Sequence, residues 1–555
     1  MSGKRAFLDL LRQEGVKVMF GNPGTTELPL MDAFAVETDI RYILGLQEAA
    51  LMAMADGYAQ ASGELAVLNL HVAPGLGNAM GMLYDAMKAN SPVLVTAGQQ
   101  DLEYIVAEPV LTADLATLAR PFVKWSAEVH RAEDLPIYVH RAVKTALAPP
   151  TGPVFLSLPG DILKNDAEIN MLEPTRIATR IRGDADAVAA AAEMLAKAER
   201  PVIIAGDAVT QSCAHKELVA LAEMIAAPVY AEFIPNTASF PASHPLYRGM
   251  MTRTQAGVRD VLDKHDLVFS VGGDLFTWSL PSPIDPWPAG LPLIHLDTDP
   301  WQIGKNYPAK VAILGDPKAT LPDITAAIGA RMTPGAKTAA NARLKSATET
   351  VKKDLEAFRA RARAMAGKTP VQPLALLEAI GAMLPKDAVV IEEVLSSAHG
   401  IRMLINSNDE QSFFGLRGGG IGWGLPAAIG AKIALPDRPV VALIGDGSAM
   451  YTVQALWTAA HYKIPVIWVI FNNTSYRILK QRLVMLRGLA EQADKFVGME
   501  LNDPAIDFIG LARSLGIEGQ RARTVKDATD LIAKALKDGT SLLIDVDMER
   551  GYKPM

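Results

Sequence analysis

Cysteine is nearly absent: Cys213 stands alone in 555 residues, so the chain can form no internal disulfide and carries no cysteine-rich metal site. Half of the residues are apolar, yet no run reaches the roughly 18 unbroken apolar residues that a membrane span requires. The opening MSGKRAFLDLLRQEGVKVMF lacks a signal-peptide core, because Asp9, Arg12, Gln13 and Glu14 interrupt it, and it reads as an amphipathic helix feeding a strand. A basic stripe is missing too. With a net charge of −7 and scattered Lys and Arg, neither nucleic acid nor an anionic membrane is an expected partner. The expectation is a soluble, cytoplasmic protein.

At roughly 100–200 residues per domain the chain is too long for one core, and we read three domains. Short β-rich apolar runs, at 16–20, 65–70, 93–97, 202–205, 267–271, 389–392, 440–444, 466–471 and 542–546, alternate with longer Ala- and Leu-rich helical stretches. That alternation predicts an α/β fold of doubly wound parallel sheets with helices on both faces. The polar, pattern-free LEPTRIATRIRGD at 172–184 marks one joint. A charged, Ala-rich stretch from about 331 to 372 reads as a linker holding one exposed helix. The expected domains are 1–175, 185–335 and 370–555, with no short-period repeat.

Two polar clusters end buried strands. RPVVALIGDGSAM closes in Gly445-Asp446-Gly447-Ser448, and IPVIWVIF closes in Asn472-Asn473. Open α/β sheets bind ligands at such carboxyl ends. A hard cation such as Mg2+ takes oxygen ligands, few from protein and several from phosphate. Asp446 offers a carboxylate, Asn473 a side-chain carbonyl, and the backbone near Ser475 a third oxygen. Gly445 and Gly447 let N–H groups approach a phosphate. Alone, each cluster is an ordinary tight turn or helix cap; together, at this spacing, they resemble the thiamine diphosphate signature. The Gly75-x-Gly77-x-x-x-Gly81 stretch is a misspaced dinucleotide lookalike.

Thiamine chemistry needs a carboxylate that protonates the aminopyrimidine ring. Glu48 follows a strand and precedes AALMAMADGYAQASG, where thiamine enzymes carry that acid, although a glutamate favoured by the helix dipole is the plainer alternative. His71 ends the strand LAVLNL at the start of a glycine-rich turn, a setting that favours catalysis over a structural histidine. His399 and His461 keep the structural reading.

Phe20-Gly-Asn-Pro-Gly-Thr-Thr-Glu-Leu-Pro29, Leu46-Gln-Glu-Ala-Ala50, Asn69-Leu-His-Val-Ala-Pro-Gly-Leu-Gly-Asn78, the stretch 422–430 and Ala455-Leu-Trp-Thr-Ala-Ala460 are similar to the benzoylformate decarboxylase group of thiamine diphosphate-dependent decarboxylases. The similarity runs over essentially the whole chain and implies the thiamine diphosphate-binding fold. It implies that Glu48 activates the cofactor, that His71 transfers protons, and that Thr25 stands where the group uses serine against the substrate carboxylate. It further implies that Gly419 meets the 4′-amino group through its carbonyl, that Ile421 is the wedge bending the cofactor, and that Ser396 and Ser448 meet the diphosphate. Ser279, Ile478, Leu479 and Arg482 would line the substrate pocket.

The pattern departs at two of these. Ser279 stands where the group has a second histidine, and a hydroxyl cannot exchange a proton near neutral pH as an imidazole can. Arg482 replaces a phenylalanine of the aromatic pocket. Arg477, Lys480 and Arg482 are either a solvated helix face or the sign of an altered substrate with a second negative group. The expected reaction is decarboxylation of a 2-oxo acid to an aldehyde, with thiamine diphosphate and Mg2+. The alternatives are a carboligase resembling acetolactate synthase or 2-hydroxyacyl-CoA lyase, and an inactive cofactor-binding scaffold. FAD is not expected. The resemblance implies a dimer or a dimer-of-dimers tetramer.

Overall fold

The computed structural model of the chain describes residues 1–233, 237–279, 281–405 and 407–552. Three six-stranded sheets follow one another, and every ladder is parallel. The first holds β1 (Val18–Gly21), β2 (Arg41–Leu44), β3 (Ala66–Leu70), β4 (Val93–Gln99), β5 (Ser126–Glu128) and β6 (Val154–Pro159), in the order 2-1-3-4-6-5. The second holds β7 (Pro201–Ala205), β8 (Val229–Ala231), β9 (Tyr247–Met250), β10 (Leu267–Val271), β11 (Leu293–Asp297) and β12 (Val311–Leu314), in the order 12-11-10-7-8-9. The third holds β13 (Val389–Glu393), β14 (Phe413–Gly415), β15 (Val440–Gly445), β16 (Ile467–Asn472), β17 (Gly519–Ala522) and β18 (Leu542–Asp547), in the order 14-13-15-16-18-17. The first and third sheets therefore share one topology. The second has the doubly wound order 3-2-1-4-5-6 when its strands are counted from its own start.

The central strands are buried at every residue, as β3, β4, β6, β7 and β10 are, because helices cover both faces. Their apolar runs consequently show no alternation. One hydrophobic core joins the first and third sheets and includes Phe20, Leu68 and Val95 with Trp423, Ile444 and Trp468. At its centre the helix Glu48–Ser62 packs on the helix Gly424–Ala434. The backbones approach so closely that a Cβ on Gly57 would fall on the Ala427 carbonyl, and one on Gly430 on the Met54 carbonyl. Trp423 Nε1 donates to buried Asp56 Oδ2 at 2.7 Å across the same seam.

The stretch expected to hold one exposed helix forms the helix Pro334–Arg363, in which Ala340 and Ala362 are the buried residues. Among the described residues no helix is long and apolar enough to cross a membrane.

Candidate active site

At the carboxyl edge of the first sheet, β1 lies beside β3, so the segments leaving them are neighbours. His71 leaves β3 as the N-cap of the helix Val72–Lys88. Its Nδ1 lies 2.8 Å from Glu27 Oε2 and 3.3 Å from Thr26 Oγ1. Glu27 is wholly buried, and it also accepts from Gly24 N at 2.9 Å, Gly98 N at 2.8 Å and Thr26 Oγ1 at 2.7 Å. As a carboxylate it only accepts, so Nδ1 carries a proton and Nε2 is left for an outside partner. Thr25 is exposed; its neighbour Thr26 is the threonine that reaches His71. Neither Glu27 nor Thr26 had been singled out in the sequence. The signal that could have found them is their place just beyond a strand adjacent to the strand of His71.

Glu48 opens the helix Glu48–Ser62, whose N-cap Gln47 accepts from Ala50 N at 3.0 Å. Half-buried, Glu48 takes Asn78 Nδ2 on Oε2 at 3.0 Å, and Oε1 lies against Gly75. Glu48 and His71 are thus brought to the first turns of one helix.

The second constellation lies at the carboxyl edge of the third sheet. Gly445 of β15 pairs with Phe471 of β16, so Asp446 and Asn472-Asn473 emerge side by side. Asp446 Oδ1 accepts Gly447 N at 2.9 Å, and the Thr474 and Ser475 amides also serve this carboxyl. Among the described residues its Oδ2 is buried without a partner, and burial pushes the group up to about 6. Asn473 Oδ1 accepts the Ser475 hydroxyl at 2.8 Å, while Asn472 turns away to Asp545 at 2.9 Å. Among the described residues no group of three or more His, Cys, Asp and Glu is arranged to hold a metal ion by itself. A cation here would take one carboxylate and neutral oxygens, which suits a hard ion shared with a phosphate. The orphaned Asp446 oxygen fits that group.

Beside this edge runs the loop 417–422. Gly419 holds φ +91, in the left-handed region that favours glycine. Gly420 N donates to Asp85 Oδ1 at 3.0 Å; Asp85 is fully buried, its Oδ2 has no partner among the described residues, and burial pushes it up to about 8. Glu393, at the end of β13, accepts Gly422 N and Gly424 N, each at 2.6 Å; burial pushes it up to about 7, and the Ser448 hydroxyl also faces it. Ile421 is half-buried against the shared core. Asp85 and Glu393 hold the loop that carries Gly419 and Ile421, and their sequence settings gave no sign of it.

Ser396 lies in the turn Leu395–Ser397, and its carbonyl accepts Arg477 Nη2 at 3.1 Å. Arg477 opens the helix Arg477–Leu486, and its Nη1 reaches the Glu549 carbonyl at 3.0 Å. Lys480 is buried too and pairs with Glu500 at 2.5 Å. The solvated-face alternative is therefore corrected for Arg477 and Lys480: the chain folds back over both, through 500 and 549. Ile478 is half-buried and Leu479 exposed. Arg482 Nη2 donates to Ser279 Oγ at 3.3 Å, so the two positions that depart from the pattern touch each other.

Three parts of the chain match the thiamine pyrophosphate enzymes: residues 1–116 their N-terminal TPP binding domain, 188–324 their central domain, and 397–546 their C-terminal TPP binding domain. A benzoylformate decarboxylase of Pseudomonas aeruginosa is 34% identical over 98% of this chain and 98% of its own. A probable acetolactate synthase large subunit of Methanocaldococcus jannaschii is 30% identical over 98% of this chain and 92% of its own. Among solved structures, the thiamine diphosphate-dependent 4-hydroxybenzoylformate decarboxylase of Rhodococcus jostii RHA1 superposes with a TM-score of 0.86 at 32% identity, covering 100% of both chains.

Proposed function

Because the chain belongs to the thiamine pyrophosphate enzymes, among the thiamine diphosphate-dependent decarboxylases, we propose that it converts a 2-oxo acid to an aldehyde and CO2 with Mg2+ as its metal. The observation that carries this reading is the buried, unpartnered Asp446 Oδ2 beside Asn473. Asp446, Asn473 and the backbone at Ser475 hold the cation. Gly445, Gly447, Ser448 and Ser396 border the diphosphate. Thiamine diphosphate, when bound, supplies the nucleophilic carbon and the electron sink for decarboxylation.

With the cofactor bound, Glu48 would hold a proton on the aminopyrimidine nitrogen and the Gly419 carbonyl would accept from the 4′-amino group. Ile421 would offer it an apolar contact. His71, fixed through Nδ1 by Glu27, would offer Nε2 as the proton donor and acceptor for the reaction. Thr25 faces the substrate carboxylate, and Ile478, Leu479, Ser279 and Arg482 form the pocket wall. FAD has no part in this reading.

Glu48 belongs to the first sheet's domain and contacts Asn78, whereas Asp446 and Asn473 stand at the carboxyl edge of the third sheet. By resemblance to the thiamine diphosphate-dependent decarboxylases, we propose that the acid and the diphosphate loop of each site come from two copies, with a dimer as the smallest active unit and a twofold tetramer as its assembly. The domain limits we propose are 1–175, 185–335 and 370–555.

A panel of 2-oxo acids assayed for CO2 release, with and without a Mg2+ chelator, tests the reading; no release from any member would sink it. A carboligase is the second reading, favoured because Ser279 offers a hydroxyl already engaged by Arg482 where an imidazole would deliver a proton. Product analysis separates them: free aldehyde for one, a new carbon–carbon bond for the other.

A further inference from the structure

Three consecutive glycines, Gly418-Gly419-Gly420, lie in the loop between β14 and the helix Gly424–Ala434, and they are small for different reasons. Gly419 is exposed and holds φ +91, and a Cβ there would meet nothing within 4 Å. Its two neighbours are crowded by one side chain. A Cβ on Gly418 would fall on Asp85 Oδ1, and one on Gly420 would lie 2.6 Å from Asp85 Oδ2. The carboxyl of Asp85 is thus seated in the notch that two missing side chains leave, with Gly420 N donating to its Oδ1 at 3.0 Å.

The ends of the loop are fixed elsewhere. Arg417 Nη2 donates to Asp274 Oδ2 at 2.6 Å, Gly422 N to Glu393 Oε1 at 2.6 Å, and the Gly422 carbonyl accepts Thr452 Oγ1 at 2.5 Å. Asp85, on the helix Val72–Lys88, holds the middle. It is wholly buried, its Oδ2 has no partner among the described residues, and the carboxyls of Asp56 and Glu393 act on it, each occupied by donors of its own. Packing gives no reason for a carboxyl here, since an unpartnered polar atom away from water destabilises a fold. With burial pushing it up to about 8, Asp85 accepts as a neutral acid near neutral pH.

The amide that Asp85 holds belongs to the same peptide group as the Gly419 carbonyl. In a trans peptide the N–H and C=O point opposite ways in one plane, so anchoring the N–H aims the oxygen. The bond also draws electron density toward that oxygen and makes it a better acceptor. Gly419 itself has a wide choice of backbone angles, so a fixed carbonyl needs an anchor beyond it. We propose that Asp85 is a positioning residue that aims the Gly419 carbonyl at the 4′-amino group of thiamine diphosphate. The inference rests on the reading that this carbonyl accepts from that amino group.

The test compares thiamine diphosphate with its 4′-deamino analogue, which lacks the donor, by calorimetry on cofactor-free protein with Mg2+. The wild type should bind thiamine diphosphate about tenfold more tightly than the analogue. Asp85→Ala should reduce that preference to less than about threefold, while Asp85→Asn, which keeps an acceptor for Gly420 N, should retain it. Inorganic diphosphate with Mg2+ should bind all three proteins alike, because it reads the metal loop alone, and this separates a misdirected carbonyl from a damaged fold. On the holoenzymes at saturating cofactor, hydrogen exchange at the thiazolium C2 should slow about tenfold or more in Asp85→Ala and stay within about threefold of wild type in Asp85→Asn. A preference and an exchange rate unchanged in Asp85→Ala overturn the positioning role and leave Gly419 as the acceptor. So does an Asn variant as impaired as the Ala variant, or a loss of inorganic diphosphate binding equal to the loss of thiamine diphosphate binding. A wild type that binds both compounds equally defeats the Gly419 reading itself, and the role of Asp85 falls with it. No readout needs turnover, so the decarboxylase reading is decided separately by CO2 release.

Discussion

Glu48 holds one oxygen on Asn78 and the other against Gly75, a pairing that an amide can imitate in shape but not in proton chemistry. Glu48→Gln is therefore expected to fold and to bind thiamine diphosphate, while hydrogen exchange at the thiazolium C2 slows about 10²–10⁴-fold. Exchange at the wild-type rate, followed by NMR in D2O, would remove Glu48 from the mechanism. Asp446→Ala should abolish Mg2+-dependent cofactor retention and spare the apo fold, since the site sits at strand ends. Gel filtration with cofactor quantitation checks this, and unchanged metal dependence would contradict it.

Asp85 supplies a pH signature of its own. Burial raises it from 3.8 to about 8, so the folded state keeps a proton that the unfolded chain releases near pH 4. Its contribution is thus most favourable below pH 4 and is lost progressively as pH rises from about 4 to about 8. Asp85→Asn keeps an acceptor for Gly420 N and cannot ionise. Urea midpoints measured from pH 5 to 8.5 should fall with pH in the wild type more steeply than in this variant, which should be the more stable protein, by about 1–3 kcal/mol, at pH 8. Parallel profiles would show that Asp85 is ionised or finds another partner.

At the scale of the element, the seam between the helices Glu48–Ser62 and Gly424–Ala434 depends on two glycines at backbone contact. Gly430→Ala should cost about 1–3 kcal/mol, read as a lowered unfolding midpoint, because the Met54 carbonyl is backbone and cannot rotate aside. On the helix Arg477–Leu486, Arg482→Phe should shift specificity toward benzoylformate by about tenfold against an aliphatic 2-oxo acid. A specificity ratio that does not move would place Arg482 on the surface.

These elements also show what the sequence could and could not disclose. Buried parallel strands must be continuous apolar runs, so β3, β10 and β15 and the polar clusters that end β15 and β16 stand out without any tertiary knowledge. The roles of Glu27, Asp85 and Glu393 are set by contacts with Gly98, Gly420 and Gly422, tens to hundreds of residues away, and their own neighbourhoods look like ordinary helix or strand ends. For Arg477 and Lys480 a solvated face stayed open beside an altered substrate, because the segments that cover them, near 500 and 549, are distant in the chain.

At the scale of the whole molecule, the common topology of the first and third sheets was invisible in hydropathy, which encodes burial and not strand order. One sheet carries Glu48 and His71 at its carboxyl edge, the other Asp446 and Asn473. In the proposed dimer each site takes its acid from one copy and its metal loop from another. Mixing Glu48→Gln with Asp446→Ala, each inactive alone, tests this directly. After subunit exchange half of the dimers are mixed, and each mixed dimer has one intact site of two, so CO2 release should recover to about a quarter of the wild-type rate. A mixture as inactive as its two components would contradict the account.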